Sequence, residues 1–163
     1  MVIRGRAIVL GDNVDTDVII PSKYLIYTDP KVLGRHVFEG VDPSLPGRVR
    51  EGDVVVAGRN FGCGSSREHA VLAILGSGVR AVLAESFARI FYRNAINRGL
   101  PVVEVPGIRG RVRDGDVVEV DLEGGRVRLP SGELLSFKPP SPEVMEIIRA
   151  GGLINYLKGR LRR

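Results

Sequence analysis

From Gly58 to Ala70 the chain reads Gly-Arg-Asn-Phe-Gly-Cys-Gly-Ser-Ser-Arg-Glu-His-Ala. The apolar run Val54–Ala57 precedes this stretch and predicts a buried strand, and Ala70–Leu75 follows it as a predicted helix. The glycines permit the positive φ angles and the close backbone approach that a ligand-binding loop needs. A helix start attracts anions through its unpaired N–H groups, and Arg67 adds a guanidinium suited to a carboxylate or a phosphate. The stretch therefore predicts an anion site with serine hydroxyls inside it.

On either side of this loop the chain alternates strands with helices. Val79–Ala84 and Leu100–Val105 predict buried strands, and Phe87–Asn97 between them repeats apolar residues at helical spacing. This order predicts a parallel βαβ core. The last third of the chain has short strands separated by glycine turns, which predicts an antiparallel set, and then a helix over Glu143–Ala150. The expected fold class is α/β, one domain over residues 1–163 with a mixed, barrel-like sheet and flanking helices.

Composition excludes several classes of protein. The 163 residues suffice for a hydrophobic core, and no apolar run approaches the roughly 18 residues of a membrane span. A single cysteine excludes an internal disulfide, and also a zinc or iron–sulfur site held by this chain's own thiolates. No signal peptide is recognisable, so a cytoplasmic protein is expected. The net charge of +5 suits anionic substrates, and the short basic end Lys158–Arg163 is interpreted as a solvated tail rather than a nucleic-acid arm.

Two residues of the loop have plain structural interpretations beside the functional ones. Ser65 stands three residues before Glu68, the spacing of a capping box, so it could simply cap the helix. Arg67 could pair with Glu68 or Glu85 at the surface. Against this, backbone N–H groups, a helix start and a cation are the surroundings that make a serine hydroxyl usable as a base. The surrounding motif favours a base at Ser65 and a carboxylate-binding role for Arg67.

Three motifs together resemble the swivel domain of the aconitase superfamily: Asp15–Pro21, Gly58–Ala70 and Glu85–Asn94. The resemblance covers nearly the whole chain, and as a free chain of this size it is similar to the small subunits of 3-isopropylmalate dehydratase and homoaconitase. It implies a swivelling β/β/α domain that closes over a large subunit. That large subunit is implied to carry a 4Fe–4S cluster, so no cofactor and no metal is expected in this chain. The implied reaction isomerises a hydroxy-dicarboxylate by dehydration and rehydration, in leucine biosynthesis.

The resemblance also implies roles for single residues. Ser65, the first serine of the Gly-Ser-Ser-Arg motif, is the implied base, and Arg67 is implied to hold a substrate carboxylate. Ser66 and Gly64 are implied to line the same pocket. Asp17 matches the acidic residue that supports a histidine of the large subunit. From the residues alone, Asp17 has two further interpretations, as one of several turn-forming carboxylates or as part of a cation site with its neighbours Asp12 and Asp15.

The segment Tyr24–Tyr27 is the predicted specificity loop. Relatives that handle tricarboxylates have an arginine near the position of Ile26, whereas this chain is apolar there. An alkyl group buried against Ile26 gains roughly 1–3 kcal/mol, and an extra carboxylate left there without a cation is penalised. Ile26 and Tyr27 are therefore expected to contact the substrate and to favour isopropylmalate over homoaconitate. The alternative is that these side chains pack inside the domain.

The remaining chemistry-bearing residues are interpreted as structural. Cys63 could be a nucleophile with a lowered pKa or a cluster ligand, but a loop-packing role is favoured, and a redox role is left open. His69 and His36, the two histidines, are expected to be held by local contacts rather than by a metal.

Two other classes of function compete with the dehydratase subunit. A stand-alone nucleotide- or anion-binding module is weakened by the lack of Gly-Lys-Ser/Thr in the glycine loop. A nucleic-acid binder is weakened by the small number of aromatic residues. Self-association of the isolated chain is left open, because a surface meant for a large subunit would be bare.

Overall fold

The computed structural model describes residues 1–162. Its strands are β1 (Val2–Val9), β2 (Val54–Ala57), β3 (Ala81–Ala84), β4 (Val102–Glu104), β5 (Val117–Asp121), β6 (Arg126–Arg128) and β7 (Leu134–Ser136). Its helices are α1 (Thr16–Ile19), α2 (Pro30–Gly34), α3 (Leu45–Arg48), α4 (Glu68–Gly76), α5 (Arg89–Asn97), α6 (Pro142–Ala150) and α7 (Leu153–Leu161), with a 3-10 turn at Ser22–Tyr24.

The strands form one mixed sheet in the order β4-β3-β2-β1-β5-β6-β7. The first strand, β1, stands at the centre, parallel to β2 on one side and antiparallel to β5 on the other. The sheet therefore has a parallel half, β1 to β4, and an antiparallel half, β5 to β7, and it curls into a half-barrel. The predicted fold class, a mixed barrel-like sheet with flanking helices, is confirmed.

Strands β2 and β3 of the parallel half are buried on both faces, whereas β5 of the antiparallel half is buried on one face. Every residue of β2 and β3 is buried, as expected for parallel strands covered on both faces. In β5 buried residues alternate with exposed or half-buried ones, which is the pattern of an antiparallel strand with one face in water. The core therefore lies mainly around the parallel half, whose strands lead into the loops described below.

The segment that connects β1 to β2 packs against the segment that connects β2 to β3, and two glycines lie at the contact. A Cβ on Gly34 of α2 would lie 2.4 Å from the carbonyl carbon of Gly76, and a Cβ on Gly76 would lie 1.7 Å from the carbonyl oxygen of Pro30. The backbones of α2 and α4 therefore touch, and any larger residue at either position would push the helices apart. This contact links the region after β1 to the helix that follows the glycine loop.

One predicted helix starts later than its sequence pattern indicates. The helix expected from residue 87 begins at Arg89, and the Ser86 hydroxyl before it accepts a hydrogen bond from the Asn60 amide at 2.8 Å. Helix α2 ends at Gly34, and the chain then turns until Phe38, whose φ of 59° lies in the left-handed region. None of the helices within residues 1–162 combines the length and the apolarity that crossing a membrane demands.

Candidate functional site

The site lies at the carboxyl end of the parallel strands. The loop after β1 leads into α1, the loop after β2 is the glycine stretch, and the loop after β3 leads into α5. Because β1, β2 and β3 are parallel neighbours, these three loops meet at one edge of the sheet. This edge is the usual position of ligands in open α/β sheets.

A buried threonine ties the first two loops together. Thr16 is 2% exposed, its hydroxyl donates to the carbonyl oxygen of Ser65 at 2.8 Å, and its amide donates to the carbonyl oxygen of Cys63 at 2.9 Å. The Gly62 amide in turn donates to the carbonyl oxygen of Val14 at 2.7 Å. The position of the serine is therefore set by a residue 49 positions earlier in the chain. No sequence pattern had indicated Thr16, because nothing local shows which loop its hydroxyl reaches.

Glycine is required where the loop passes over the core. Gly62 has a φ of 81°, and a Cβ there would lie 2.2 Å from Cγ of Phe91. Phe91 packs edge-on against Phe61, with 5.2 Å between ring centroids, and Phe87 packs against both. These three rings form a floor on which the loop backbone rests directly.

The alternative in which Ser65 caps the helix is wrong. Helix α4 begins at Glu68, and its N-cap is Arg67, whose backbone is extended and which makes no side-chain capping bond. Ser65 and Ser66 are exposed and precede the helix. The reason is tertiary, since Thr16 holds the Ser65 carbonyl and keeps the serine out of capping geometry. Ser65 is therefore an exposed residue of the loop and not part of the helix cap.

The loop leaves backbone donors free. Within residues 1–162, the amides of Gly64, Ser65 and Ser66 donate to no backbone carbonyl. Gly64 has a φ of 91°, which turns the chain just before the two serines. Unpaired amides beside a helix start favour an anion, so these three amides are available to the anion that the sequence predicts.

Arg67 supplies the cation of the site. Its Nη1 lies 2.7 Å from Oδ1 of Asp17, with side-chain exposures of 21% and 59%. Nη1 is itself buried, yet it makes no aligned hydrogen bond in the part of the chain described. The pair is therefore held by charge, while a buried N–H still needs an acceptor. The alternative of a surface pair with Glu68 or Glu85 is wrong, because Arg67 pairs with Asp17 and Glu68 pairs with Arg98 at 2.8 Å.

The other acidic residues in the three loops at the carboxyl edge of the parallel strands already have hydrogen-bond or ion-pair partners within the domain. Glu85 accepts from the amides of Gly107 and Arg109, at 3.0 Å each. Asp15 caps α1 through the amides of Asp17 and Val18. Asp12 accepts from the Arg59 amide at 2.7 Å and pairs with Arg109. These contacts support the turn-forming interpretation of the Asp12–Asp17 carboxylates. Across residues 1–162, no group of three or more His, Cys, Asp or Glu side chains is placed to hold a metal ion.

Cys63 lies half-buried inside the loop. Burial raises the pKa of its thiol above the ordinary value, and the charge of Asp15 raises it further. A raised pKa leaves little thiolate at neutral pH, which is the opposite of an activated nucleophile. The loop-packing interpretation is supported.

Part of the glycine loop borders a small open cleft. It has a volume of about 200 Å³ and is lined by Thr16, Gly62, Gly64, Ser66, Arg67, Ala88, Arg89, Ile90, Phe91 and Asn94. Small-molecule pockets usually measure about 300–1,000 Å³, so the cleft has the size of part of a site. A larger groove of about 530 Å³ lies between β4 and residues 138–144 and contains no residue of the glycine loop.

The predicted specificity segment is divided between core and solvent. Ile26 is 80% exposed and Tyr27 is 42% exposed, whereas Tyr24 stacks on His36 with 3.8 Å between ring centroids. Internal packing therefore applies to Tyr24 and not to Ile26. Ile90, which lines the cleft, is also 55% exposed.

Comparison with known proteins gives a consistent result. The model of the aconitase C-terminal domain family matches residues 41–106, a range that contains the glycine loop but not Asp17 or Ile26. The 3-isopropylmalate dehydratase small subunit of Pyrobaculum calidifontis is 61% identical over 98% of this chain and 99% of its own length. The isopropylmalate/citramalate isomerase small subunit of Methanocaldococcus jannaschii is 52% identical over 98% and 96%.

A solved structure agrees with these relatives. The crystal structure of 3-isopropylmalate dehydratase from Methanocaldococcus jannaschii superposes with a TM-score of 0.92 at 51% identity, covering 98% of this chain and 95% of that one. Identity above half over nearly the full length, together with the shared fold, shows the family. The chain belongs to the family of 3-isopropylmalate dehydratase small subunits, within the aconitase superfamily.

Proposed function

We propose that this chain is the small subunit of a hydro-lyase that interconverts 2-isopropylmalate and 3-isopropylmalate in leucine biosynthesis. The observation that carries the proposal is an exposed serine beside a buried arginine donor that lacks an aligned acceptor. Arg67, with the neighbouring Gly64 and Ser66, lines a cleft too small and too open to enclose a substrate. Such a half-site requires a second protein to complete it.

Arg67 binds a substrate carboxylate in this proposal. A guanidinium fork matches a carboxylate in two parallel hydrogen bonds, and Nη1 is the buried donor that still needs an acceptor. The substrate carboxylate would take the place of Asp17 on Arg67. The released Asp17 carboxylate, 59% exposed, would then support a histidine of the large subunit, as the family resemblance implies.

Ser65 acts as the base. It takes the proton from the carbon next to a carboxylate, and the C–H electron pair becomes a double bond as the C–O bond of the neighbouring carbon breaks. The departing hydroxyl becomes water by taking a second proton, which an acid of the large subunit would donate. Rehydration then returns the proton and the hydroxyl with their positions exchanged. A serine alkoxide is a strong base that needs stabilisation, which the amides of Gly64, Ser65 and Ser66 and the charge of Arg67 would supply.

The large subunit is expected to carry a 4Fe–4S cluster, whose Lewis-acid chemistry acts on the substrate hydroxyl. The donors for such a cluster are not on this chain, since Cys63 is its only cysteine and a cluster needs several thiolates. We therefore assign to this chain only carboxylate binding, proton transfer and covering of the site. A cytoplasmic location accords with a free, half-buried thiol.

The substrate side chain is proposed to lie against Ile26 and Tyr27. Ile26 offers an exposed apolar surface and no cation, which suits a branched alkyl group better than a third carboxylate. The name of the Methanocaldococcus jannaschii relative includes citramalate, so citramalate is the natural second substrate to test. Homoaconitate is the tricarboxylate to test against both.

Reconstitution tests the proposal. The purified chain is mixed anaerobically with the large subunit, and turnover of isopropylmalate is measured for the wild type, Ser65→Ala and Ser136→Ala. Ser136 is an exposed serine on β7, away from the cleft, and its variant is the matched control. Ser65→Ala should lose activity by at least 100-fold while Ser136→Ala stays near wild type. Wild-type activity retained by Ser65→Ala excludes Ser65 as the base.

The alternative of a stand-alone nucleotide-binding module makes a different prediction. It requires nucleotide binding by the chain alone, measurable by calorimetry without the large subunit. Light scattering of the same sample decides whether the isolated chain associates with itself.

A further inference from the structure

We propose that Glu39 is a specificity-determining positioning residue. Through Tyr24 and His36 it holds the Tyr24–Tyr27 segment so that Ile26 and Tyr27 lie beside the substrate side chain. This inference rests on the proposed function, because it assigns the source of its substrate preference.

The three residues form one compact cluster away from the glycine loop. Oε1 of Glu39 accepts from the Tyr24 hydroxyl at 2.9 Å, and Oε2 lies 3.0 Å from Nδ1 of His36, which donates to it. The Tyr24 and His36 rings stack with 3.8 Å between centroids and an interplanar angle of 11°. One carboxylate thus joins two rings that already touch. The hydrogen bond to Glu39 also raises the pKa of Tyr24, with burial as a smaller cause, so the phenol remains a donor.

Tyr24 controls the backbone of the exposed residues that follow. It ends the 3-10 turn Ser22–Tyr24, and its carbonyl accepts from the Tyr27 amide at 3.1 Å. Ile26 lies inside this turn with its side chain 80% exposed. A side chain so exposed has few contacts of its own to fix it, so its position follows from the anchored neighbour.

The cluster is itself attached to the site. The Phe38 amide donates to the carbonyl oxygen of Ile19 at 2.8 Å, and the Gly40 amide donates to that of Val18 at 3.0 Å. Glu39, between them, is therefore held against α1, the helix that begins with Thr16 and Asp17. Since Thr16 also binds Ser65, the specificity segment and the proposed base share one rigid support.

The first experiment needs no activity. Hydrogen exchange of residues 22–28 is followed in the full-length chain alone, for the wild type, Glu39→Ala, Glu39→Gln and the control Glu119→Ala on the exposed face of β5. Loss of one hydrogen-bonding anchor should speed exchange of the Tyr27 amide about fivefold in Glu39→Ala. Glu39→Gln keeps an oxygen acceptor for Tyr24 and should stay near wild type. Equal exchange in all four proteins overturns the positioning role and leaves the proposed function intact.

The second experiment uses the reconstituted enzyme with isopropylmalate and citramalate. In Glu39→Ala, KM for isopropylmalate should rise about fivefold, while kcat and both constants for the methyl-bearing citramalate change less than about twofold. Glu39→Gln should restore the discrimination. A fall of kcat on both substrates alike, or Glu39→Gln as impaired as Glu39→Ala, overturns the specificity role. A wild-type complex inactive on both substrates overturns it together with the proposed function.

Discussion

Removal of the Thr16 hydroxyl is the sharpest test of how this site is built. In Thr16→Val the side chain keeps its shape, so the 2%-exposed position stays filled, and only the 2.8 Å hydrogen bond to the Ser65 carbonyl is lost. That loss costs about 0.5–1.5 kcal/mol of unfolding free energy. For a chain of this size such a change lowers Tm by only about 2–4 °C per kcal/mol.

The effect on catalysis should be larger than the effect on stability. Ser65 is exposed and would lose the side-chain contact that fixes its carbonyl, so its hydroxyl would shift with the loop. Misplacement of a reacting group by about 1 Å can cost on the order of 100-fold in rate. We expect kcat of the reconstituted Thr16→Val enzyme to fall between 10-fold and 100-fold.

The control is Thr16→Ser, which keeps the hydroxyl and loses a buried methyl group worth about 0.8 kcal/mol. Both variants should therefore melt within a few degrees of each other, whereas only Thr16→Val should lose activity. Thermal melting of the isolated chain and turnover by the complex are measured side by side. If the two variants lose activity equally, or if Thr16→Val keeps full kcat, the hydroxyl does not position the serine.

Further predictions concern the loop, the cation, the specificity segment and the thiol. Gly62→Ala places a Cβ 2.2 Å from a phenyl ring at a φ of 81°, so it should destabilise the chain by at least 2 kcal/mol in urea unfolding. Gly47→Ala, where a Cβ meets nothing within 4 Å, should be neutral or slightly stabilising. Arg67→Lys should raise KM at least 10-fold with a smaller effect on folding, because an ammonium cannot form the paired bonds. Ile26→Arg should reduce the preference for isopropylmalate over homoaconitate by about 10-fold or more. Alkylation of Cys63 should be slow at neutral pH and accelerate only at a pH above the ordinary thiol pKa, since burial raises that pKa.

Each of these has an outcome that contradicts it. Equal stability of Gly62→Ala and Gly47→Ala would mean that the loop does not rest on the aromatic floor. An unchanged KM in Arg67→Lys would show that Arg67 does not bind the carboxylate. Unchanged discrimination between isopropylmalate and homoaconitate in Ile26→Arg would show that Ile26 does not lie in the pocket. Rapid alkylation at pH 7 would show an activated thiol.

The family and the fold class could be predicted from the chain alone. The apolar runs at Val54–Ala57 and Val79–Ala84 predict buried parallel strands because parallel strands are covered on both faces. The spacing of glycines, serines and an arginine in Gly58–Ala70 predicts an anion site because each residue type has a local chemical reason to be there. These inferences succeed since they depend on near neighbours in sequence.

The contacts that make the site work could not be predicted in this way. Ser65 and Glu68 have the spacing of a capping box, but Ser65 does not cap α4. Its carbonyl is held by the Thr16 hydroxyl, and this contact places the serine before the helix. The partner of Arg67 is Asp17, 50 positions earlier, and not an acidic residue nearby on its own helix.

The sequence by itself determined which side chains are available: the Ser65 hydroxyl, the Arg67 cation, glycines that admit a close backbone, and an apolar residue at Ile26. Only the tertiary structure decided which of them meet, because the ends of parallel strands gather loops that lie far apart along the chain. The pairing of β1 with β2 brings Thr16 to Ser65, and the same edge of the sheet brings Asp17 to Arg67. Local propensity carries no information about either.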